Sequence, residues 1–356
     1  MTTFAEVCAL VVDHLILHDE EAFDLAYAEF DSRLPGADRF ELAEAVEAVA
    51  GRLDDAGLAD GQQAALIGAM LVEHGAPAAP LVRVVEPKVT GGMEWAANFP
   101  RGWDLASYGA ALPDPDDEGV AAEDVLDQLQ RNLERAAMTE EEADHLTEAW
   151  FSVGPWMQAL LAGLQTADGR GALAAKDELI AAIEPIYEDY NEQFSTAYWL
   201  LGALCVLDDE PLIVLHRASG AGYRMTIGGI GDNYQLHTLL ADRLIGDPGS
   251  GLIYDVRPKA AWVAAAEDGE DLEPEGGIGP QFTLVDAYGD AIFNQERPAD
   301  IPEFDGVRVV VLDRTQSTDS WNAGRVYSSM LPTVRLDEVI PAGEATKWLA
   351  KVRPAQ

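Results

Sequence analysis

The stretch PLIVLHRASGAGYRMTIGGIGDNYQLHTLLADRLIG, residues 211–246, decides the reading of the chain because its local signals agree with one another. Pro211 opens a run of strand-forming residues, Leu212, Ile213, Val214 and Leu215, and a turn cluster follows from Ala218 to Gly222. Tyr223 to Ile227 alternates Tyr, Met and Ile with Arg and Thr, the period-2 pattern of a half-buried strand, so the spacing predicts a β-hairpin. Gly228, Gly229 and Gly231 then supply backbone freedom for a sharp turn, and Asp232 or Asn233 stands where a helix N-cap belongs. Leu236, Leu239, Leu240 and Leu244 recur at helical spacing over 233–245, and Gly246 with Pro248 stops the run. The unit reads strand, turn, strand, glycine loop, helix.

A glycine loop leading into a helix N-terminus offers N–H groups and the positive end of a dipole to an anion. The dinucleotide fingerprint fails here at its third glycine, where Tyr234 stands, and the Lys-Ser or Lys-Thr of a phosphate loop is absent. Asp232 also sets a negative charge where a phosphate would sit. Structural capping is therefore the expected role, with an anion or substrate site at Gly229, Gly231 and Asn233 as the rival.

Upstream the pattern is helical. Apolar residues from Phe4 to Phe30 predict one long or two short helices, Asp38 with Glu41 predicts a capped second helix, and Asp60 marks the start of a third. His14, His18 and Glu21 fall at helical spacing and would share a face, a spacing metals use. With no HExxH and no cysteine cluster beside them, packing or local hydrogen bonding is expected and no metal is assigned. Residues 76–118 carry Pro77, Pro80, Pro87, Pro100, Pro113 and Pro115 among Trp95, Phe99, Trp103 and Tyr108, which predicts an irregular connection anchored by aromatics and ending in an exposed acidic tip, Asp114 to Glu118. Thr139 with Glu142 forms a capping box, Gly154 and Pro155 predict a kink or break, and further helices run from Leu173 to Ile183 and from Ile186 to Val206.

Downstream, Leu252–Val256 and Gln281–Val285 read as short strands, and 267–277 as a charged loop. Val307–Leu312 is the strongest candidate for a buried strand, Thr333–Ile340 is another strand, and Pro341 opens a last helix. The whole predicts an α+β chain: an acidic helical domain over 1–207 and a smaller mixed α/β domain with a short sheet over 208–356.

The 356 residues carry 63 acidic side chains against 23 Lys and Arg, a formal net charge of -40 and a pI near 4.2. Bare nucleic acid and anionic membrane both demand a basic face, so neither is an expected partner, whereas a basic protein is. Cys8 and Cys205 lie in apolar helical patterns and are expected as free thiols. The first residues lack the charged start of a secretory signal, and no apolar run reaches the length of a membrane span, so a cytoplasmic location is expected.

Chemistry is hard to place. A second candidate surface lies on the loop DRTQSTDSWNAGR, with Asp313, Arg314, Ser317, Asp319, Trp321, Asn322 and Arg325 mixing donors and acceptors. No GxSxG elbow is present, and His237, on the helix after the glycine loop, could meet Asp232 or a loop serine to form a hydrolytic set. The motifs LIVLHRASGAGYRMTIGGIGDNYQLHTLLAD and WNAGR resemble those of a group of uncharacterised actinobacterial proteins over roughly the last 150 residues. The resemblance implies a bacterial cytoplasmic origin and carries no activity, substrate or cofactor with it. The leading expectation is a non-catalytic acidic interaction or regulatory protein, immunity-type in character, that binds a basic partner. The alternative is a hydrolase or transferase working at the glycine loop through Asp232 and His237. Binding residues under either reading are Gly229, Gly231, Asn233, Asp313, Arg314, Trp321, Asn322 and Arg325, with no cofactor assigned.

Overall fold

The computed structural model describes residues 2–117, 119–269, 278–315, 320–321 and 324–355. Glu118, residues 270–277, Ser317, Asp319 and Asn322 lie outside the described residues. The fold is α+β, with two compact units, Met1–Leu204 and Cys205–Gln356. Among the described residues no helix is long and apolar enough to cross a membrane.

The first unit is helical: α1 (Phe4–Ile16), α2 (Glu20–Arg33), α3 (Arg39–Asp55), α4 (Leu58–Glu73), α5 (Ala79–Ala96), α6 (Phe99–Ser107), α7 (Ala122–Gln130), α8 (Leu133–Ala136), α9 (Glu140–Leu164), α10 (Ala167–Gly171), α11 (Lys176–Tyr190) and α12 (Thr196–Leu204). Reciprocal capping boxes close the starts of α1 (Thr3 and Glu6), α3 (Asp38 and Glu41) and α9 (Thr139 and Glu142), each satisfying two orphan donors. Helix α9 packs against α4, α5, α7 and α12. Its Trp150 is buried with Phe99 stacked on it at 4.7 Å and Phe194 edge-on at 5.0 Å. The indole N–H groups of Trp150 and Trp156 donate to the Pro113 and Leu58 carbonyls at 2.9 and 2.8 Å, so neither burial leaves a polar atom stranded.

Several expectations are corrected here. Most of the 76–118 segment is helical and not an irregular connection, with Pro80 and Pro100 in the first turns of α5 and α6, where a missing N–H costs nothing, while 108–117 is irregular and Asp114, Asp116 and Asp117 are exposed as expected. Pro87, Pro155 and Pro185 lie inside α5, α9 and α11, and Gly154–Pro155 does not break α9. A helix-interior proline costs about 3 kcal/mol. Neighbours such as Val85 and Val89, Val153 and Met157, or Ile183 and Ile186 are buried, each contributing about 1.5–3 kcal/mol toward keeping the helix continuous. Helix α4 is capped by Gly57, so Asp60 falls within its first turn. Helix α11 starts at Lys176 and not at Leu173, because the buried Glu86 carboxylate accepts the Ala174 and Ala175 N–H groups at 2.8 and 2.7 Å and holds the chain before it. The common face of His14, His18 and Glu21 does not form, since α1 ends before His18, which takes a positive φ of 53°. His18 instead lies 3.4 Å from Asp60 and His14 4.0 Å from Asp19. Both cysteines are free; Cys8 is buried, which pushes its thiol up to about 12, while Cys205 follows the end of α12 and is partly exposed.

The second unit contains β1 (Glu210–His216), β2 (Ala221–Gly228), α13 (Asn233–Leu244), α14 (Ala260–Asp268), β3 (Phe282–Val285), β4 (Glu303–Phe304), β5 (Val307–Arg314), β6 (Thr333–Val339) and α15 (Ala342–Lys351). The sheet order is β3-β5-β1-β2-β6, with β4 beside the start of β5. β1 runs antiparallel to β2 and parallel to β5, so the sheet is mixed. Leu212, Val214, Tyr223, Met225, Val310 and Leu312 face Leu236, Leu240 and Leu244 of α13. Ile213, Leu215, Val309 and Val311 face the other way, toward Ala345 and Trp348 of α15. Covered on both faces, β5 buries the four consecutive apolar residues Val309 to Leu312, as a strand between two layers requires. The strand expected over 252–256 reduces to one bridge between Ile253 and Ile245, and α14 was not anticipated.

Candidate functional site

The glycine loop joins β2 to α13 and is pinned from outside. Gly229 has φ 63°, and a Cβ there would lie 2.3 Å from the Leu331 carbonyl oxygen. A Cβ on Gly231 would come within 2.8 Å of Val326 Cβ. Glycine is needed at both positions because the 326–332 segment lies directly over the loop.

The N–H groups of Gly229, Gly231 and the first turn of α13 are already engaged. Gly229 N–H donates to Leu207 O at 3.0 Å, Asn233 N–H to Glu296 O at 2.8 Å and Tyr234 N–H to Asn294 O at 3.0 Å. Asp232 Oδ1 accepts Gln235 N–H at 2.8 Å, the N-cap bond expected of it. Gln235 Oε1 accepts Gly231 N–H at 3.1 Å while its Nε2 donates to Ala266 O at 2.8 Å, tying the loop to α14. An anion at this terminus would have to displace carbonyl oxygens, so the free donors that make helix starts into phosphate sites are lacking at these positions. Sequence reasoning passed over Gln235. The Asp-x-x-Gln spacing was the available signal, since Gln three residues after a cap is the capping-box position.

Asp232 and His237 each have their own partner and share no hydrogen bond. Desolvation pushes the Asp232 carboxyl up to about 6, against the N–H groups of Gln235 and Tyr234, which favour its ionised form. His237 is buried, and desolvation pushes its imidazole down to about 4. Phe282 N–H donates to His237 Nε2 at 3.3 Å, which places the proton of the neutral ring on Nδ1. Trp321 stands edge-on to His237 with centroids 5.1 Å apart and tilted against Tyr234 at 5.3 Å. A two-bond bridge to Ile278, N–H to O at 2.7 and 3.2 Å, holds Trp321 in that position. His237 Nδ1, Trp321 Nε1 and Asn233 Oδ1 are buried and have no hydrogen-bond partner among the described residues.

The remaining predicted residues separate. Asn233 donates Nδ2 to Phe293 O at 3.0 Å. Asp313 pairs with Arg217 at 2.7 Å, and Arg314 is exposed at the end of β5. Arg325 clips three carbonyls, donating to Met330 O at 3.0 Å, Asp268 O at 2.9 Å and Ser328 O, so its guanidinium joins the end of α14 to the 325–330 turn. Desolvation lowers its proton affinity, opposed by the Asp268 charge. The structure thus brings Trp321 to His237 and Tyr234, and engages Gly229, Gly231 and Arg325 in holding loops together. No protein-family model, no curated protein and no solved structure matches the chain.

Proposed function

We propose that the chain is a non-catalytic acidic interaction protein of the bacterial cytoplasm, regulatory or immunity-type, whose helical unit binds a basic protein partner. The observation that carries this reading is the charge imbalance of that unit. Residues up to 204 hold 39 acidic and 10 basic side chains. At least half of these cations are engaged locally: Arg33, Arg52 and Arg131 pair with Glu29, Asp13 and Asp127, Lys88 donates to the Asp54 and Ala56 carbonyls, and Arg135 to the Leu105 carbonyl. Most carboxylates are left to solvent or to a partner, and the resulting field speeds encounter with a basic surface while repelling nucleic acid and anionic lipid.

A hydrolase or transferase at the glycine loop is the less favoured reading, since the Gly229, Asn233 and Tyr234 N–H groups that could serve an oxyanion already hold protein carbonyls and His237 Nε2 already holds the Phe282 N–H. One salt series tests the choice. Capture of a basic partner from the native cell is expected to be fast at low salt and to fall steeply above about 0.1 M, where the Debye length is near 10 Å. A protein that needs molar salt to stay folded and captures no basic partner at any concentration removes this reading, leaving the acidity as a means of solvation.

A further inference from the structure

Between α6 and the start of α7 lies an open groove of about 380 Å³ lined by Trp103, Val120, Asp124, Val125 and Gln128. Its volume is in the range of small-ligand pockets, roughly 300–1,000 Å³. The lining combines an indole, two valines and two alanines with the polar side chains of Ser107, Asp124 and Gln128. Trp103 Nε1 already donates to Ala111 O at 2.9 Å, and Gln128 Nε2 to Ala106 O at 3.0 Å. Ser107, at the edge of the groove, accepts the Ala110 N–H at 3.1 Å. The Trp103 indole N–H and one of the two Gln128 amide N–H groups are therefore taken, and Asp124 carries the one full charge among the lining side chains, with Gln128 Oε1 a further acceptor. A lining that combines apolar side chains with a carboxylate suits a group that combines an alkyl stem with a cationic head.

Charge decides the sign of that head. The α7 N-terminus contributes about half a positive charge, which would favour an anion. Glu123 and Asp124 stand in that same first turn and bring two full negative charges, with Asp114, Asp116 and Asp117 on the preceding loop. The neighbouring cations do not reverse the balance, because Arg131 pairs with Asp127 at 2.6 Å and Arg135 lies 4.0 Å over the Tyr108 ring while donating to Leu105 O.

We propose that this groove is the docking subsite for a lysine or arginine side chain of the basic partner, with the alkyl stem on Trp103 and Val120 and the cation on Asp124. The inference rests on the acidic-binder reading and adds where the partner is held and by which chemistry. Direct packing on an indole would give it a specificity that long-range charge lacks.

The probe is a short fluorescein-labelled peptide of alternating arginine and serine, titrated with the full chain at ionic strength well below about 0.1 M and followed by anisotropy. Three variants shift the net charge by the same single unit: Val120→Arg fills the groove with a cation, Asp124→Asn removes its carboxylate, and Glu47→Gln alters exposed α3 away from it. Val120→Arg is expected to weaken binding about tenfold and Asp124→Asn about fivefold, with Glu47→Gln within about twofold of the parent, and a citrulline version of the peptide is expected not to bind. If the parent binds and all three variants weaken it equally, the groove assignment is overturned while the acidic-binder reading stands. If the parent does not bind the arginine peptide at low salt, both are overturned. Circular dichroism of each variant separates lost binding from lost fold, and Asp124→Asn, nearly isosteric and exposed, decides the matter if Val120→Arg unfolds.

Discussion

The Phe282 backbone N–H donates to His237 Nε2 at 3.3 Å, so a side chain from the helix beneath the glycine loop secures the first residue of the edge strand β3. Both groups are buried, and taking away the acceptor strands a donor at a cost of about 1–3 kcal/mol. His237→Leu is therefore expected to lower unfolding stability by that amount at pH 8, read from the urea midpoint at unchanged slope. A midpoint equal to that of the parent would show the contact to be energetically idle.

Asp232 and His237 also set opposing pH dependences. The Asp232 carboxyl moves from 3.8 to about 6 on folding, so its contribution is full below pH 3.8 and is lost as pH rises through 6. His237 moves from 6.5 to about 4, so its contribution is full above pH 6.5 and is lost as pH falls through 4. Between about pH 4 and 6 the folded chain holds the Asp232 proton while the unfolded chain holds the His237 proton, and the two slopes offset. Asp232→Asn keeps the cap and removes one of them. Its stability is expected to match or exceed that of the parent at pH 8, then to fall with acid more steeply, by up to about 1.4 kcal/mol per pH unit. Parallel profiles for parent and variant between pH 4 and 6 would contradict the burial of Asp232.

Legibility followed the range of the interactions. The hairpin, glycine loop and cap at 211–246 were readable because strand alternation, positive-φ glycine and N-capping are decided within a few residues, and the capping boxes at Asp38 and Thr139 were readable for the same reason. Pro87 and Pro155 misled because helix continuity there depends on burial against other helices, which no local window contains. The sealing of α13 was equally invisible, since its acceptors are the carbonyls of Asn294 and Glu296, some 60 residues away. Asp232 was legible as a cap, whereas the seat of Trp321 against His237 depends on a bridge to Ile278 that no motif announces.

Gly229 combines a left-handed backbone with backbone crowding that no rotamer can relieve, because the obstacle is the Leu331 carbonyl itself. Gly229→Ala is expected to destabilise by more than about 2 kcal/mol, through strain and displacement of the 326–332 segment together. Gly220 also has positive φ, 73°, but lies at the hairpin turn with no heavy atom within 4 Å of a built Cβ. Gly220→Ala then carries the backbone strain alone, about 1–2 kcal/mol. Thermal unfolding of the two variants separates strain from steric contact, and equal losses would mean that the Leu331 approach contributes nothing.

Helix glycines in the first unit offer the same comparison with favourable sign. Gly51 lies in α3 and Gly68 in α4, both inside helices, where glycine costs roughly 0.5–1 kcal/mol relative to alanine through backbone entropy. A Cβ on Gly51 meets no heavy atom within 4 Å, whereas one on Gly68 falls 2.5 Å from Leu81 Cδ1, a fully buried side chain of α5. Gly51→Ala is thus expected to stabilise by about 0.5–1 kcal/mol, since nothing opposes the entropic gain. In Gly68→Ala the same gain is set against overpacking, which costs about 1–3 kcal/mol in a filled core, so the net change is expected to be destabilising. Leu81→Val in the Gly68→Ala background removes a methylene from the obstructing side chain and should recover part of the loss. If Leu81→Val lowers stability by the same amount with Gly68 as with alanine, the two sites do not couple, and the close approach of α4 to α5 at this point is not what makes glycine necessary.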